Sequence, residues 1–189
     1  MDCEIVEESL ARLAEYGEIP IRFEVRSLFE IKGENPDSAV FVERSVEHPW
    51  VKDYDAIKGE RPTRWAKRWD ITNWGLLAAY VDGSRVAGCV LAYNTDSIRK
   101  LEGRDDVVVI WDLRIQPEYR GNGIGRRLFE AAVQWARDRQ CRVLKVETQD
   151  INVPACRFYE SQMCHLQTIN RHTYEAFPKE VELIWSLVL

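Results

Sequence analysis

Apolar residues change period several times along this chain, and the changes mark its elements. Ile5, Val6, Leu10, Leu13 and Ala14 recur at helical spacing, which predicts a helix over Ile5–Tyr16 with Gly17 as its C-cap. Ile19, Ile21, Phe23 and Val25 then alternate with polar residues, the mark of a half-buried strand over Glu18–Ile31. Lys32–Asp37 reads as a turn-rich loop, Ala39–Val46 as a short strand and His48–Asp55 as an aromatic loop without a period. Arg61–Asp70 predicts a short helix with Pro62 in its first turn. Two strands, Trp74–Val81 and Arg85–Tyr93, flank Asp82-Gly83-Ser84, a hairpin turn of the Asp-Gly type. A polar loop over Asn94–Asp106 leads to the apolar run Val107–Ile115. Beyond it, a helix carries Ile124, Leu128, Ala131, Ala132 and Trp135 on one stripe. A strand over Cys141–Thr148, a helix over Ala155–Gln162 opened by Pro154, and strands over Leu166–Tyr174 and Glu182–Leu189 complete the chain. The order from Trp74 onward is hairpin, strand, helix, strand, helix, strand, strand. It predicts an α/β fold with a mixed, mostly antiparallel central sheet flanked by helices.

The most informative stretch runs from Val107 to Arg139. Between strand and helix lies Arg120-Gly-Asn-Gly-Ile-Gly125. Glycines there let backbone approach a ligand with no Cβ in the way. The first N–H groups of the helix have no partner inside it, and its dipole places positive charge at that end. An anion, phosphate above all, suits such a turn. Arg120, Arg126 and Arg127 sit where cations are normally unfavourable, which makes sense beside a bound anion. The plainer alternative is a tight turn whose Asn122 caps an ordinary helix above solvated arginines. A P-loop is excluded, because no Lys-Ser/Thr follows the glycines. A Rossmann fingerprint begun at Gly121 meets Arg126 where its last glycine belongs, although Glu147 stands at the distance of a ribose-binding acid.

Net charge is −5, so nucleic acid is not the expected partner; an amine suits the field better. No run approaches the roughly 18 apolar residues of a membrane span, and the acidic N-terminus lacks a signal-peptide core. A cytoplasmic protein is expected, as a monomer or homodimer. The five cysteines are odd in number and scattered, which predicts reduced thiols; no metal site is expected.

What fits the turn without strain is Arg-x-x-Gly-x-Gly, over Arg120, Gly123 and Gly125. After a strand, this pattern resembles the acetyl-CoA motif of the GNAT superfamily of N-acetyltransferases. A second match is Asn152-Val-Pro-Ala-Cys-Arg-Phe-Tyr159, similar to the family's Asn-x-x-Ala-x-x-x-Tyr. The wider stretch from Val146 to Tyr159 is similar to the streptothricin-type antibiotic acetyltransferase branch. The resemblance implies acetyl-CoA as co-substrate and splayed central strands. It implies that backbone at Leu113, Arg114 and Ile115 holds the pantetheine arm. The amides of Gly121, Asn122, Gly123, Ile124, Gly125 and Arg126 would hold the diphosphate, with Arg120 beside them. Asn152 would contact the cofactor, and Tyr159 would protonate the leaving thiolate. Phe158–Tyr159 as core packing and Asn152 as a helix cap is the structural alternative. The family's usual Gly-Phe after the tyrosine is replaced here by Met163-Cys164, so the local backbone is expected to differ.

The family commonly takes its general base from or near the central strand. Asp112 is the candidate in that strand, with Glu147 on the next; Trp111 fills the usual acid position. Asp112 has a competing reading as the salt-bridge partner of Arg114. Trp65 and Trp69, one helical turn apart, are either core or, with Trp50, Tyr54, Trp111 and Glu147, walls of an acceptor pocket. The expectation is one domain over residues 1–189, with about 1–73 on the acceptor side and about 74–189 as cofactor core. Its activity would be acetyl transfer to a primary amine of a small molecule by direct attack in a ternary complex. Two alternatives stand beside it: a non-catalytic CoA-binding or nucleotide/NAD-binding module, and a peptide or protein amine as acceptor.

Overall fold

The computed structural model describes residues 2–189. Its strands are β1 (Glu4–Glu8), β2 (Phe23–Lys32), β3 (Val40–Lys52), β4 (Gly75–Val81), β5 (Ser84–Tyr93), β6 (Val107–Ile115), β7 (Val143–Gln149), β8 (His165–Asn170) and β9 (Glu182–Val188). Its helices are α1 (Leu13–Tyr16), α2 (Pro62–Trp65), α3 (Ile124–Asp138) and α4 (Val153–Ser161). Two compact units form. The first is Met1–Arg22, Asp53–Leu144 and Val188–Leu189; the second is Phe23–Lys52 and Lys145–Leu187. The architecture is mixed α/β, and its pairings are mostly antiparallel, as expected.

The first unit carries the strand order β1-β4-β5-β6. Asp82 and Gly83 both take positive φ, 49° and 74°, as the two-residue hairpin between β4 and β5 requires. Helix α3 buries Ile124, Leu128, Phe129, Ala132, Trp135 and Ala136. It packs so closely that a Cβ on Gly75 of β4 would lie 2.6 Å from the Trp135 ring. A Cβ on Gly88 of β5 would lie 2.8 Å from the Tyr16 ring, so both glycines are there for close approach.

The N-terminus differs from the expected helix. Glu4–Glu8 pairs antiparallel with β4, Glu4 opposite Tyr80 and Glu8 opposite Leu76. Only Leu10–Tyr16 is helical, as a 3-10 turn capped by Ser9 and then α1. The β-branched pair Ile5-Val6 fits the offered strand edge, and pairing overrides a short helical period.

The second unit holds β9 between β7 and β8, the hairpin β2–β3, and α4. The hairpin is longer than the pattern implied. β3 runs 13 residues and takes in His48–Lys52, which read as loop. Pro49 interrupts the alternation, and a strand with a single neighbour can hold a proline. β2 begins only at Phe23; Ile19, outside it, is buried. All five cysteines are free and buried. No helix is long and apolar enough to cross a membrane among the described residues.

Candidate active site

Strand β6 pairs regularly with β5 from Ala87–Ile115 to Val90–Asp112, then resumes at Leu91–Ile110. Trp111 is thus an extra residue on β6, a bulge that re-aims the side chains next to it. It sends its ring to a tryptophan cluster: Trp69 at 4.7 Å, Trp74 at 5.3 Å and Trp65 at 6.4 Å between ring centroids. Trp65 is 1% exposed and donates its indole N–H to Glu60 O at 2.9 Å. It is packed as core, behind half-buried Trp69 and Trp111. Tyr54 lies half-buried in a 3-10 turn of this unit; Trp50 sits on β3 of the second unit and is 41% exposed.

After β6 the chain makes a 3-10 turn over Pro117–Tyr119 and reaches the glycines. Gly121 and Gly123 take φ of 77° and 81°, and a Cβ on either would meet nothing within 4 Å. The left-handed backbone explains the glycines, and the open space above them leaves room for a ligand. Arg127 N to Gly123 O, at 3.2 Å, is the first backbone bond of α3. The amides of Ile124, Gly125 and Arg126 precede it and have no acceptor within the helix. Asn122 does not cap them: the N-cap is Gly123, and the Asn122 side chain turns to Arg120 O at 3.4 Å. No acid occupies the first turn of α3. This backbone fits a diphosphate, because its donors converge without a side chain to satisfy them.

The arginines divide. Arg126 and Arg127 are exposed and make no side-chain ion pair among the described residues. Arg120 instead donates to Ile115 O at 3.0 Å and to Pro20 O and Arg22 O at 3.3 Å each. It ties the end of β6 to the segment after α1, and loss of hydration lowers its pKa.

Asp112 is bound on both oxygens. Oδ1 accepts from Tyr16 Oη and from Arg114 Nε at 2.9 Å, and Oδ2 accepts from Arg114 Nη2 at 3.0 Å. Arg114 also grips Asp55, at 2.7 and 2.8 Å, and Ile19 O at 3.2 Å. Burial works against this guanidinium's charge, but Asp112 and Asp55 outweigh it and hold the proton firmly. Burial and the Asp112 charge push the Tyr16 phenol well above its ordinary range. The expected general base therefore stands in a buried ion network, with three donors on its two oxygens. The competing salt-bridge reading is what the geometry supports. Tyr16 and Asp55 went unread in the sequence, since nothing local links them to residues 96 and 59 positions away.

In the second unit Asn152 caps α4, its Oδ1 accepting from Ala155 N at 3.2 Å, with Pro154 in the first turn. Tyr159 lies on the buried side of α4, its ring edge-on to Phe158 at 5.0 Å. Past the helix, Met163 takes φ of 64°. Its N–H bonds Glu160 O at 3.0 Å, and Cys164 N bonds Tyr159 O at 3.1 Å. That is a Schellman ending in which a methionine stands where glycine is usual. On β7, Glu147 accepts hydrogen bonds from Tyr174 Oη and from Gln149 Nε2, the latter at 3.0 Å.

Comparison with known proteins agrees with this architecture. Streptothricin acetyltransferase A of Bacillus subtilis (strain 168) is 28% identical over 112 residues, 57% of this chain and 65% of that protein. A streptothricin acetyltransferase of Escherichia coli is 33% identical over 84 residues, 43% of this chain and 48% of that protein. The chain thus spans less than two thirds of the length of these relatives. A putative streptothricin acetyltransferase from Bacillus anthracis str. Ames, solved in complex with acetyl coenzyme A, superposes with a TM-score of 0.78. The two cover 100% of each other at 22% identity, a likeness of fold. The model of the acetyltransferase (GNAT) family matches residues 40–163, more than half of the sequence, and this chain belongs to that family.

Proposed function

We propose that this chain is an acetyl-CoA-dependent N-acetyltransferase acting on a primary amine of a small molecule. One observation carries the reading: the unsatisfied amides of Ile124–Arg126 open beneath two left-handed glycines with clear space above them. Bound there, acetyl-CoA supplies an activated acetyl group as a thioester. The amides of Gly121 to Arg126 hold its diphosphate, with Arg126 and Arg127 adding charge. Arg120 acts one step back, fixing the end of β6 against the glycine turn. Backbone at Leu113, Arg114 and Ile115 takes the pantetheine arm as an added strand. Asn152 caps α4 and so sets the pitch of the helix that carries Tyr159. The Tyr159 hydroxyl gives its proton to the departing sulfur.

The attacking amine must be neutral. Direct attack forms the C–N bond as the C–S bond breaks, and the amine's proton leaves to solvent or a base. We assign Asp112 to positioning the Trp111 bulge rather than to accepting that proton. Trp69, Trp111 and Tyr54 are the aromatic groups we assign to acceptor contact. The names of the relatives make streptothricin the first acceptor to try. The test is free-thiol release from acetyl-CoA across streptothricin, an aminoglycoside, polyamines and peptide N-termini. Release with small amines supports the reading. Release with the peptide alone replaces the acceptor class, and none at all with CoA bound leaves a non-catalytic CoA binder.

A further inference from the structure

Among the described residues, large apolar side chains stand exposed in five places, and three of these lie on one strand. Val40 is 55% exposed, Trp50 41% and Val51 62%, all on β3. The strand belongs wholly to the second unit. It is 13 residues long and has β2 as its one strand neighbour among the described residues. A two-stranded hairpin with a long open edge offers a row of backbone donors and acceptors that a further strand can complete.

The register fixes which side chains share a face. Phe41 lies opposite Ile31, and Trp50 opposite Val25. Ile31 and Val25 are an even number of residues apart on β2, so Phe41 and Trp50 share a face. Val40 lies opposite Lys32, Arg44 opposite Leu28 and Val51 opposite Glu24, which puts these three on the other face. A shift in register between Ser45 and Trp50 lets positions an odd number apart agree in this way. Alternation back from Trp50 and Val51 adds His48 to the first face and Glu47 to the second. The same count shows which backbone groups reach the open edge. Phe29 N–H bonds Asp150 O at 3.0 Å, away from β3. Phe29 and Glu43 opposite it are therefore a pair that does not bond across the hairpin, and Glu43 turns its N–H and C=O outward. Phe41 and Trp50 do the same. Pro49 falls between outward-turned residues, so the N–H it lacks is not one the open edge needs.

We propose that the open edge of β3 pairs antiparallel with the same edge of a second copy of this chain, making a four-stranded sheet across a twofold axis. One register suits the side chains. It sets Val40 against Val51 of the second copy and Phe41 against Trp50, with Arg44 against Glu47 and Glu43 against His48 between them. Every match keeps to one face, apolar meets apolar, and Arg44 meets the opposite charge. Within its own chain Arg44 gives Nε to Glu30 at 3.0 Å, so its Nη groups can serve Glu47 of the second copy. A slip of one residue crosses the faces and sets Glu43 against Glu47, or Arg44 against His48. The twofold makes each match twice, and a modest pair counts double.

Sedimentation velocity of the full chain tests this. Wild type is expected to pass from monomer to dimer at concentrations up to about 100 µM. Arg44→Glu and Glu47→Arg each set like charges together twice and are expected to weaken the dimer about tenfold; Arg44→Glu/Glu47→Arg restores it. The two side chains are 59% and 89% exposed, so the fold bears these changes. Val40→Cys/Val51→Cys reads the register. On oxidation it is expected to give a disulfide-linked dimer, because an antiparallel pair of this kind brings its Cα atoms to about 4.5 Å. Within one chain the two positions stand at opposite ends of β3, about 30 Å apart, and cannot join. The native cysteines are buried and stay out of the reaction. Val40→Cys/Glu47→Cys, mismatched in this register, is expected to stay unlinked. A monomer at every concentration overturns the inference. So does a dimer indifferent to Arg44→Glu, one that the double swap fails to restore, or a mismatched pair that links as readily as the matched one. None of these measurements involves acetyl-CoA, so the dimer and the acetyltransferase reading stand or fall separately.

Discussion

Arg114 places all five of its guanidinium hydrogens, and two of the bonds go to Asp112, two residues before it on the same strand: Nε to Oδ1 at 2.9 Å and Nη2 to Oδ2 at 3.0 Å. Residues i and i+2 share a face of a strand, so β6 itself brings this pair together. Asp55 and Ile19 O take the other three hydrogens. One cation thus joins β6, the turn that carries Tyr54 and the end of α1, directly beside the Trp111 bulge.

Neutralising Asp112 weakens two charge-assisted bonds to Arg114, which stays paired with Asp55. Asp112→Asn is expected to cost about 1–3 kcal/mol of stability, read as a shifted urea midpoint. Its kcat at a temperature where it remains folded should fall modestly. A variant as stable as wild type with kcat reduced about a thousandfold would return Asp112 to the role of general base.

Helix α3 leaves no room over Gly75, where a Cβ would sit 2.6 Å from the Trp135 ring. Gly75→Ala should destabilise by about 1–3 kcal/mol through overpacking. Adding Trp135→Phe should recover part of that loss, and thermal melts of the single and double variants decide it.

Met163 spends its left-handed backbone without a glycine's freedom, at φ of 64°. Its side chain is 70% exposed, so little packing is lost with it. Met163→Gly should stabilise the protein by about 0.5–1 kcal/mol, the left-handed penalty less the entropy of a glycine. Gln140, at φ of 60° after α3, offers the same test. A lower melting temperature for both variants would contradict the Schellman assignment.

Asp150 gives a pH dependence with a definite sign. Burial raises its pKa, with Glu180 adding to the rise and the Val181 amide opposing it, from 3.8 to about 6. The folded state therefore holds this proton more tightly than the unfolded chain does. Stability from this group is full below pH about 4 and declines as pH rises to about 6. Asp150→Asn keeps an acceptor for Val181 N and removes the charge. It should equal wild type near pH 4 and exceed it at pH 7 by on the order of 1–2 kcal/mol. Parallel melts across that range check it.

What the sequence disclosed and what it hid follow from the reach of each interaction. β6, the glycine turn and α3 are local: an apolar run, positive-φ glycines and a helical stripe each leave their mark within a few residues. The same holds for the Asp82-Gly83 hairpin and the Asn152 cap. β1 was hidden because Ile5 and Val6 fit a helix until β4 offers an edge. The far half of β3 was hidden behind Pro49. The Arg114–Asp55 pair, 59 positions apart, and Tyr174 against Glu147, 27 apart, leave no periodic trace. The glycine turn could be found from spacing; the ion network around Asp112 could be found only from the fold.

The central claim is that backbone amides at the mouth of α3 grip the diphosphate of coenzyme A. Calorimetric titration of CoA into wild type, Gly123→Ala and Arg126→Ala/Arg127→Ala tests it most directly. The account predicts saturable binding at one site per chain. It predicts about tenfold weaker binding for each variant, through strain at a left-handed residue in the first and lost charge-assisted contacts in the second. No heat with wild type, or variants that bind as tightly as wild type, would contradict it.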